Sequence, residues 1–369
     1  MSNRQNQHFR ISKVELSIVV ALAGLYVHSL LTHNVPLIVC MSFILGGWLV
    51  FRPVEEAIRG IEGICAAYGI STYMGGVLIS LASNTPEAAI LGFTLWRGYV
   101  SGNIEFMEVA VLTVLSTIGF NILLLGLVIV VAAGKKNFIE VPPEALEKEL
   151  ELVRFTVAAL MAIFALGVID VIFSSGQRTF YIPKEAAVLM VAAYIAYLIF
   201  AGRGVPPTEE VAKEEVDIRK SVISLIVGFT GLFIGAHILV HGVEMILTKE
   251  AVAGFGDPII MSGLILGLMS AVPEHAVALV GAMKGQIDFP LGNLLGSLSQ
   301  VVLLILGGVA IVVPIILDKY VLFQILITAI CIWFLKRSIL DDEKLDSFEG
   351  VMIMLIQVFV FTLLVRGLI

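Results

Sequence analysis

Residues 73–98 read YMGGVLISLASNTPEAAILGFTLWRG, and residues 260–285 read IMSGLILGLMSAVPEHAVALVGAMKG. Sliding the chain against itself by 187 positions brings Met74, Gly76, Leu81, Ser83, Pro86, Glu87, Ala89 and Gly98 onto identical residues, and Arg97 onto Lys284. Two apolar helices share some letters by chance, but a Ser-x-x-Pro-Glu in the middle of both points to an internal repeat. Each copy is long and apolar enough to cross a bilayer, yet carries a proline and a carboxylate at mid-span.

The rest of the chain has the same character. It holds 369 residues, of which 59% are hydrophobic and only 14% charged, far from the composition of a water-soluble domain. No basic patch or aromatic platform suits nucleic acid, so the net charge of −7 reports acidic loops and not a polyanion partner. Cys40, Cys65 and Cys331 stand alone in apolar segments, in no metal or redox spacing, and read as packing residues.

Apolar runs at 14–31, 36–57, 73–96, 105–133, 152–172, 183–201, 221–247, 258–283, 289–316, 319–335 and 349–366 predict an all-α polytopic membrane protein of about eleven transmembrane helices. The predicted organisation is a cytoplasmic tail and extra span (1–35), a first five-helix repeat (36–201), an acidic linker (202–220) and a second five-helix repeat (221–369). With the N-terminus cytoplasmic and the C-terminus external, only Arg97, Arg178, Lys184, Lys249, Lys319 and Arg366 of the 23 basic residues fall outside the cell membrane. The second Pro-Glu segment comes five spans after the first, so the copies run in opposite directions. That is the inverted-repeat architecture of secondary transporters, with substrate near the midplane.

Glu87 and Glu274 each lie about fourteen residues into a span, close to mid-bilayer at 1.5 Å per residue. Two carboxylates placed symmetrically in a low-dielectric interior form a cage suited to one divalent cation, and Ca²⁺ fits better than Mg²⁺ because it sheds water more readily. Pro86 and Pro273 remove a backbone donor, so both helices are expected to break just before the glutamate and to turn carbonyls of 80–84 and 267–271 into the cavity. Ser83 and Ser270 are candidate hydroxyl ligands. His275 is a candidate gate or tuner of Glu274. His237 and His241, four apart on one helix face, suggest a metal pair or a structural contact.

Ser-Asn-Thr-Pro-Glu (83–87) and Pro-Glu-His-Ala (273–276) resemble the two α-repeat motifs of the calcium/cation antiporter superfamily. LSTIGFNILLLG (115–126) and IDFPLGNLLGSLSQVVLLILG (287–307) resemble the following helix of each repeat. The Asn before the first Glu, the Glu-His of the second copy and the Gly-Ser-x-x-Gln of 296–300 are most similar to the calcium/proton exchanger branch. The resemblance implies that Glu87 and Glu274 bind Ca²⁺ and exchange it for protons, that Asn84 helps complete the shell, and that Asn121 and Gln300 supply polar groups behind it. Ala271 stands where that branch has a second Asn, and Ser116 where it has a Gly. Pro86 and Pro273 are nearer to the sodium/calcium branch.

The expected activity is therefore Ca²⁺ export in exchange for H⁺ by alternating access, with Ca²⁺ as transported substrate, no cofactor and no enzymatic chemistry. Na⁺/Ca²⁺ exchange is the alternative within the class, and a Ca²⁺-permeable channel the alternative outside it.

Overall fold

The computed structural model describes residues 13–70, 72–134, 137–141, 147–173, 180–203, 217–248, 257–283 and 288–369. The acidic stretch expected to link the two repeats lies, for residues 204–216, outside the described residues.

The described chain is almost entirely helical: α1 (Lys13–Leu31), α2 (Val35–Tyr68), α3 (Thr72–Ser83), α4 (Thr85–Ser101), α5 (Glu105–Ala133), α6 (Glu147–Phe173), α7 (Lys184–Arg203), α8 (Ile218–Thr248), α9 (Pro258–Met283), α10 (Asp288–Gln300), π-helical turns over Val301–Leu306, α11 (Gly307–Val312), α12 (Lys319–Asp342) and α13 (Ser347–Val365). Every apolar run marked in the sequence is helical over most of its length. Nine helical stretches among the described residues are long and apolar enough to cross a membrane: α1, α2, α5, α6, α8, α9, α12, α13 and the run Leu294–Val312 through α10, the π turns and α11. The protein is polytopic, while the figure of eleven crossings goes beyond that count. α2 runs to Tyr68, well past the expected end at residue 57, because Arg52 and Arg59 are neutralised within the helix by Glu55 and Glu56.

Contacts between helices fix their directions. α5 turns back against α4 through Gly102, which adopts φ +66°, and Gly98 comes to lie beside Phe106 and Met107. α9 then runs parallel to α5: Gly263 meets Leu112, Gly267 meets Ser116, and His275 meets Asn121. The two Pro-Glu helices therefore point in opposite directions. α2 and α8 pack antiparallel at very short range, since a Cβ on Gly228 would lie 2.4 Å from the backbone nitrogen of Ala57 and one on Gly60 2.7 Å from that of Leu225. Without a hydrophobic force between helices in lipid, such close backbone approach is what holds them together.

Two short antiparallel pairings qualify the all-α expectation. β1 (Phe138–Glu140), just before α6, pairs with β2 (Lys344–Asp346), just after α12, with Ile139 opposite Leu345. At the other end of the same two helices Tyr181, after α6, bridges to Ile316, before α12. Exchanging the repeats exchanges these two pairings.

α5 is the central helix, with residues from Phe106 to Ala133 buried on most sides. Large apolar side chains on α6, α7 and α8, such as Phe155, Ile169, Leu189, Phe200, Ile226 and Phe233, are exposed. A chain with this much apolar outer surface is covered by lipid.

Candidate cation site

The break in the first Pro-Glu helix follows from three consecutive polar residues. Asn84 leaves the helical conformation (φ −92°, ψ 3°) between α3 and α4. The Ser83 hydroxyl donates to the Ser80 carbonyl at 2.9 Å and the Asn84 amide to the same oxygen at 3.2 Å, while the Thr85 hydroxyl donates to the Leu81 carbonyl at 3.2 Å. Such side chains offer the backbone a partner other than the helical ladder, and Pro86 cannot supply its own N–H to that ladder.

The second helix does not break, which corrects the expectation for Pro273. α9 is continuous through that proline. The positions matching Asn84 and Thr85 are Ala271 and Val272, which have no polar group to draw the backbone away. Ser270 alone donates back, to the Gly267 carbonyl at 2.9 Å. A second correction concerns the carbonyls expected to be freed. Ser80, Leu81, Gly267 and Ala271 all accept hydrogen bonds from side chains, Ala271 from the His275 ring at 2.9 Å.

Asn84, Glu87, Ser270, Glu274, His275, Asn121 and Gln300 are all buried. Ser297, on α10, joins the two repeats: its hydroxyl lies 2.7 Å from Asn84 Oδ1 and also forms a short hydrogen bond to Glu274 Oε2. Glu87, three residues beyond Asn84 on α4, is within electrostatic reach of Glu274. Both Glu87 carboxylate oxygens are fully buried with no hydrogen-bond partner among the described residues. Glu56 is the remaining buried acid among the described residues, and it is bonded to Arg59.

Around this pair lies a shell of small polar groups. Thr117 and Ser270 share a hydrogen bond of 2.7 Å between α5 and α9. His275 spans the same helices, with Nε2 3.1 Å from the Asn121 carbonyl. The Asn121 side chain leaves both amide atoms without a partner among the described residues. A buried polar atom without a partner costs roughly 1–3 kcal/mol. Several together around two carboxylates are the expected surroundings of a hydrated or ion-binding centre.

Gln300 Oε1 accepts from the Tyr194 hydroxyl at 3.0 Å and from Ser80 at 3.4 Å. A cavity of about 310 Å³ runs along α4, lined by Asn84, Thr85, Gly92 and Leu95, and Gln300 lines it from α10. The sequence alone points to neither Ser297 nor Tyr194. Ser297 stands inside the quoted Gly-Ser-x-x-Gln and was within reach, whereas Tyr194, 106 residues from Gln300, has no local signal.

His237 and His241 form no metal pair. His241 Nδ1 lies 3.1 Å from the Tyr26 hydroxyl of α1, and His237 packs edge-on against Phe93. No group of three or more His, Cys, Asp or Glu side chains among the described residues is arranged to hold a metal ion.

The sequence pattern of the family described as sodium/calcium exchanger protein matches residues 35–203 and 220–366. The chain belongs to that family. Among its relatives, the putative antiporter CaxA of Alkalimonas amylolytica is 24% identical over 295 residues, covering 76% of this chain and 83% of that protein. The vacuolar cation/proton exchanger 1c of Oryza sativa subsp. japonica is 28% identical over 257 residues, which are 64% of this chain and 55% of the rice protein. The crystal structure of the H⁺/Ca²⁺ exchanger CAX superposes with a TM-score of 0.70 at 18% identity, covering 96% of this chain and 93% of that one. The exchanger family's polytopic helical fold thus extends over nearly the whole chain.

Proposed function

We propose that this exchanger carries Ca²⁺ out of the cell against H⁺, holding the cation between Glu87 and Glu274. The carrying observation is the Glu87 carboxylate, buried beside Glu274 with neither oxygen hydrogen-bonded among the described residues. An ionised carboxylate in that position demands a cation or a proton. Asn84, Ser83 and Ser270 supply neutral oxygens nearby, and water completes the six to eight that Ca²⁺ takes. His275, Asn121 and Gln300 surround the pair, and Pro86 and Pro273 mark the two crossing points of the repeats.

Protons are the favoured counter-ion on charge grounds. Besides Glu56, which Arg59 engages, Glu87 and Glu274 are the buried acids among the described residues, and one Ca²⁺ or two protons neutralise that pair equally. Such an exchange moves no net charge across the membrane. Exchange for three sodium ions moves one charge, worth about 2.3 kcal/mol per 100 mV, and calls for further acidic ligands. The rice relative is a cation/proton exchanger by name, which favours the same reading. The family also contains sodium/calcium exchange, so the test separates the two. Each repeat contributes one glutamate, and alternating access follows from rocking one repeat against the other around the pair, with the N-terminus cytoplasmic and the C-terminus external.

In sealed proteoliposomes, a pH gradient is expected to drive Ca²⁺ uptake that is indifferent to sodium and to a clamped membrane potential. Uptake driven only by a sodium gradient would replace this reading with sodium/calcium exchange. Fast uptake with neither gradient would replace it with a channel.

A further inference from the structure

Gln300 closes α10 immediately before the π-helical turns Val301–Leu306, and only 2% of its surface is exposed. A π segment inserts a residue into the helical repeat and re-aims the side chains beside it, and such segments gather at functional sites. Here the re-aimed amide meets two other elements. Its oxygen receives the Tyr194 hydroxyl from α7 at 3.0 Å and the Ser80 hydroxyl from α3 at 3.4 Å. A carbonyl oxygen has two lone pairs, and both are engaged.

A second buried amide, in the first repeat, behaves differently. Asn121 on α5 has neither side-chain atom bonded among the described residues. One buried amide is thus without a partner among the described residues and the other is held. The held one matters for access, because Gln300 and Asn84 both line the 310 Å³ cavity along α4. Asn84 is in turn one hydroxyl, that of Ser297, from Glu274.

We propose that Tyr194 is a positioning residue that keeps the Gln300 amide oxygen off the cation, so that Gln300 becomes a ligand only when the Tyr194 bond is broken. This rests on the reading that Glu87 and Glu274 hold the cation. Tyr194 sits on a different helix from every other residue of the site, so movement of α7 against α10 makes and breaks the bond. Ser80, just ahead of the break at Asn84, ties the same oxygen to the hinge of the first repeat.

The test is Ca²⁺ binding at equilibrium to purified protein in lipid nanodiscs. Tyr194→Phe keeps the ring and its packing and removes the hydroxyl. It is expected to tighten Ca²⁺ binding about threefold to tenfold, the worth of one hydrogen bond no longer competing for the oxygen. Gln300→Leu abolishes the dependence: Tyr194→Phe added to Gln300→Leu changes nothing further. A merely structural hydroxyl lowers thermal stability and leaves affinity alone. Unchanged or weaker binding in Tyr194→Phe, or the same gain on the Gln300→Leu background, overturns the inference. Glu87→Gln measured alongside separates the two readings. Full binding in Glu87→Gln removes the cation cage itself, whereas lost binding there with Tyr194→Phe unchanged removes only the role of Tyr194.

Discussion

The two repeats carry the same Ser-x-x-Pro-Glu on oppositely directed helices, yet one helix is cut in two at Asn84 and the other runs straight through Pro273. The second repeat places its irregularity elsewhere, in the π turns after Gln300, where the first repeat has an unbroken α5. Proline alone does not decide where a membrane helix breaks. What differs is the pair of residues before it: Asn-Thr in the first copy, able to bond the preceding carbonyls, and Ala-Val in the second. The outcome is two unlike halves around one pair of glutamates. Glu87 follows a hinge and has no hydrogen-bond partner among the described residues, while Glu274 sits within a continuous helix and is bonded to Ser297.

The sharpest test of that asymmetry is to neutralise each glutamate in turn. Both Glu87→Gln and Glu274→Gln are expected to lower Ca²⁺ uptake at least about a hundredfold, since either removes half the charge of a two-carboxylate cage. If one variant keeps near-normal uptake, the cation belongs to a single repeat.

The hinge comes next. Asn84→Ala deletes the side chain that turns back on Ser80 and the acceptor facing Ser297, and it is expected to slow uptake by about tenfold to thirtyfold, the effect of losing two buried hydrogen bonds. The complementary change, Ala271→Asn, gives α9 the polar residue it lacks. Faster hydrogen exchange across 268–274 is the expected result, and protection equal to the parent protein would show that the flanking residues do not control continuity.

A smaller effect is expected from Ser297→Ala, which leaves both carboxylates in place but removes the hydroxyl between Asn84 and Glu274. Uptake at saturating Ca²⁺ should fall about threefold to tenfold. No change would mean that the link between repeats is incidental.

Much of this architecture was legible in the chain. A repeated Ser-x-x-Pro-Glu and an offset of five apolar runs from one copy to the other are local signals, and they led to opposed helices around Glu87 and Glu274. The continuity of α9 was misread because the proline was weighed without its neighbours. The extension of α2 depended on charge pairing along one helix face, between Arg52 and Glu55 and between Arg59 and Glu56. Tyr194 and the strand pairings at either end of α6 and α12 arise only when distant segments meet. Three-residue strands such as Phe138–Glu140 carry too little periodicity to stand out in an apolar chain.

The central claim is that Ca²⁺ and protons compete for the same two carboxylates, and calorimetric titration of Ca²⁺ in buffers of differing ionisation enthalpy counts the protons displaced. At a pH where both glutamates are protonated in the empty protein, about two protons are expected to leave per Ca²⁺ bound, falling to about one where Glu87→Gln still binds measurably. Ca²⁺ binding that releases no protons, with undiminished affinity in Glu87→Gln, would contradict the account.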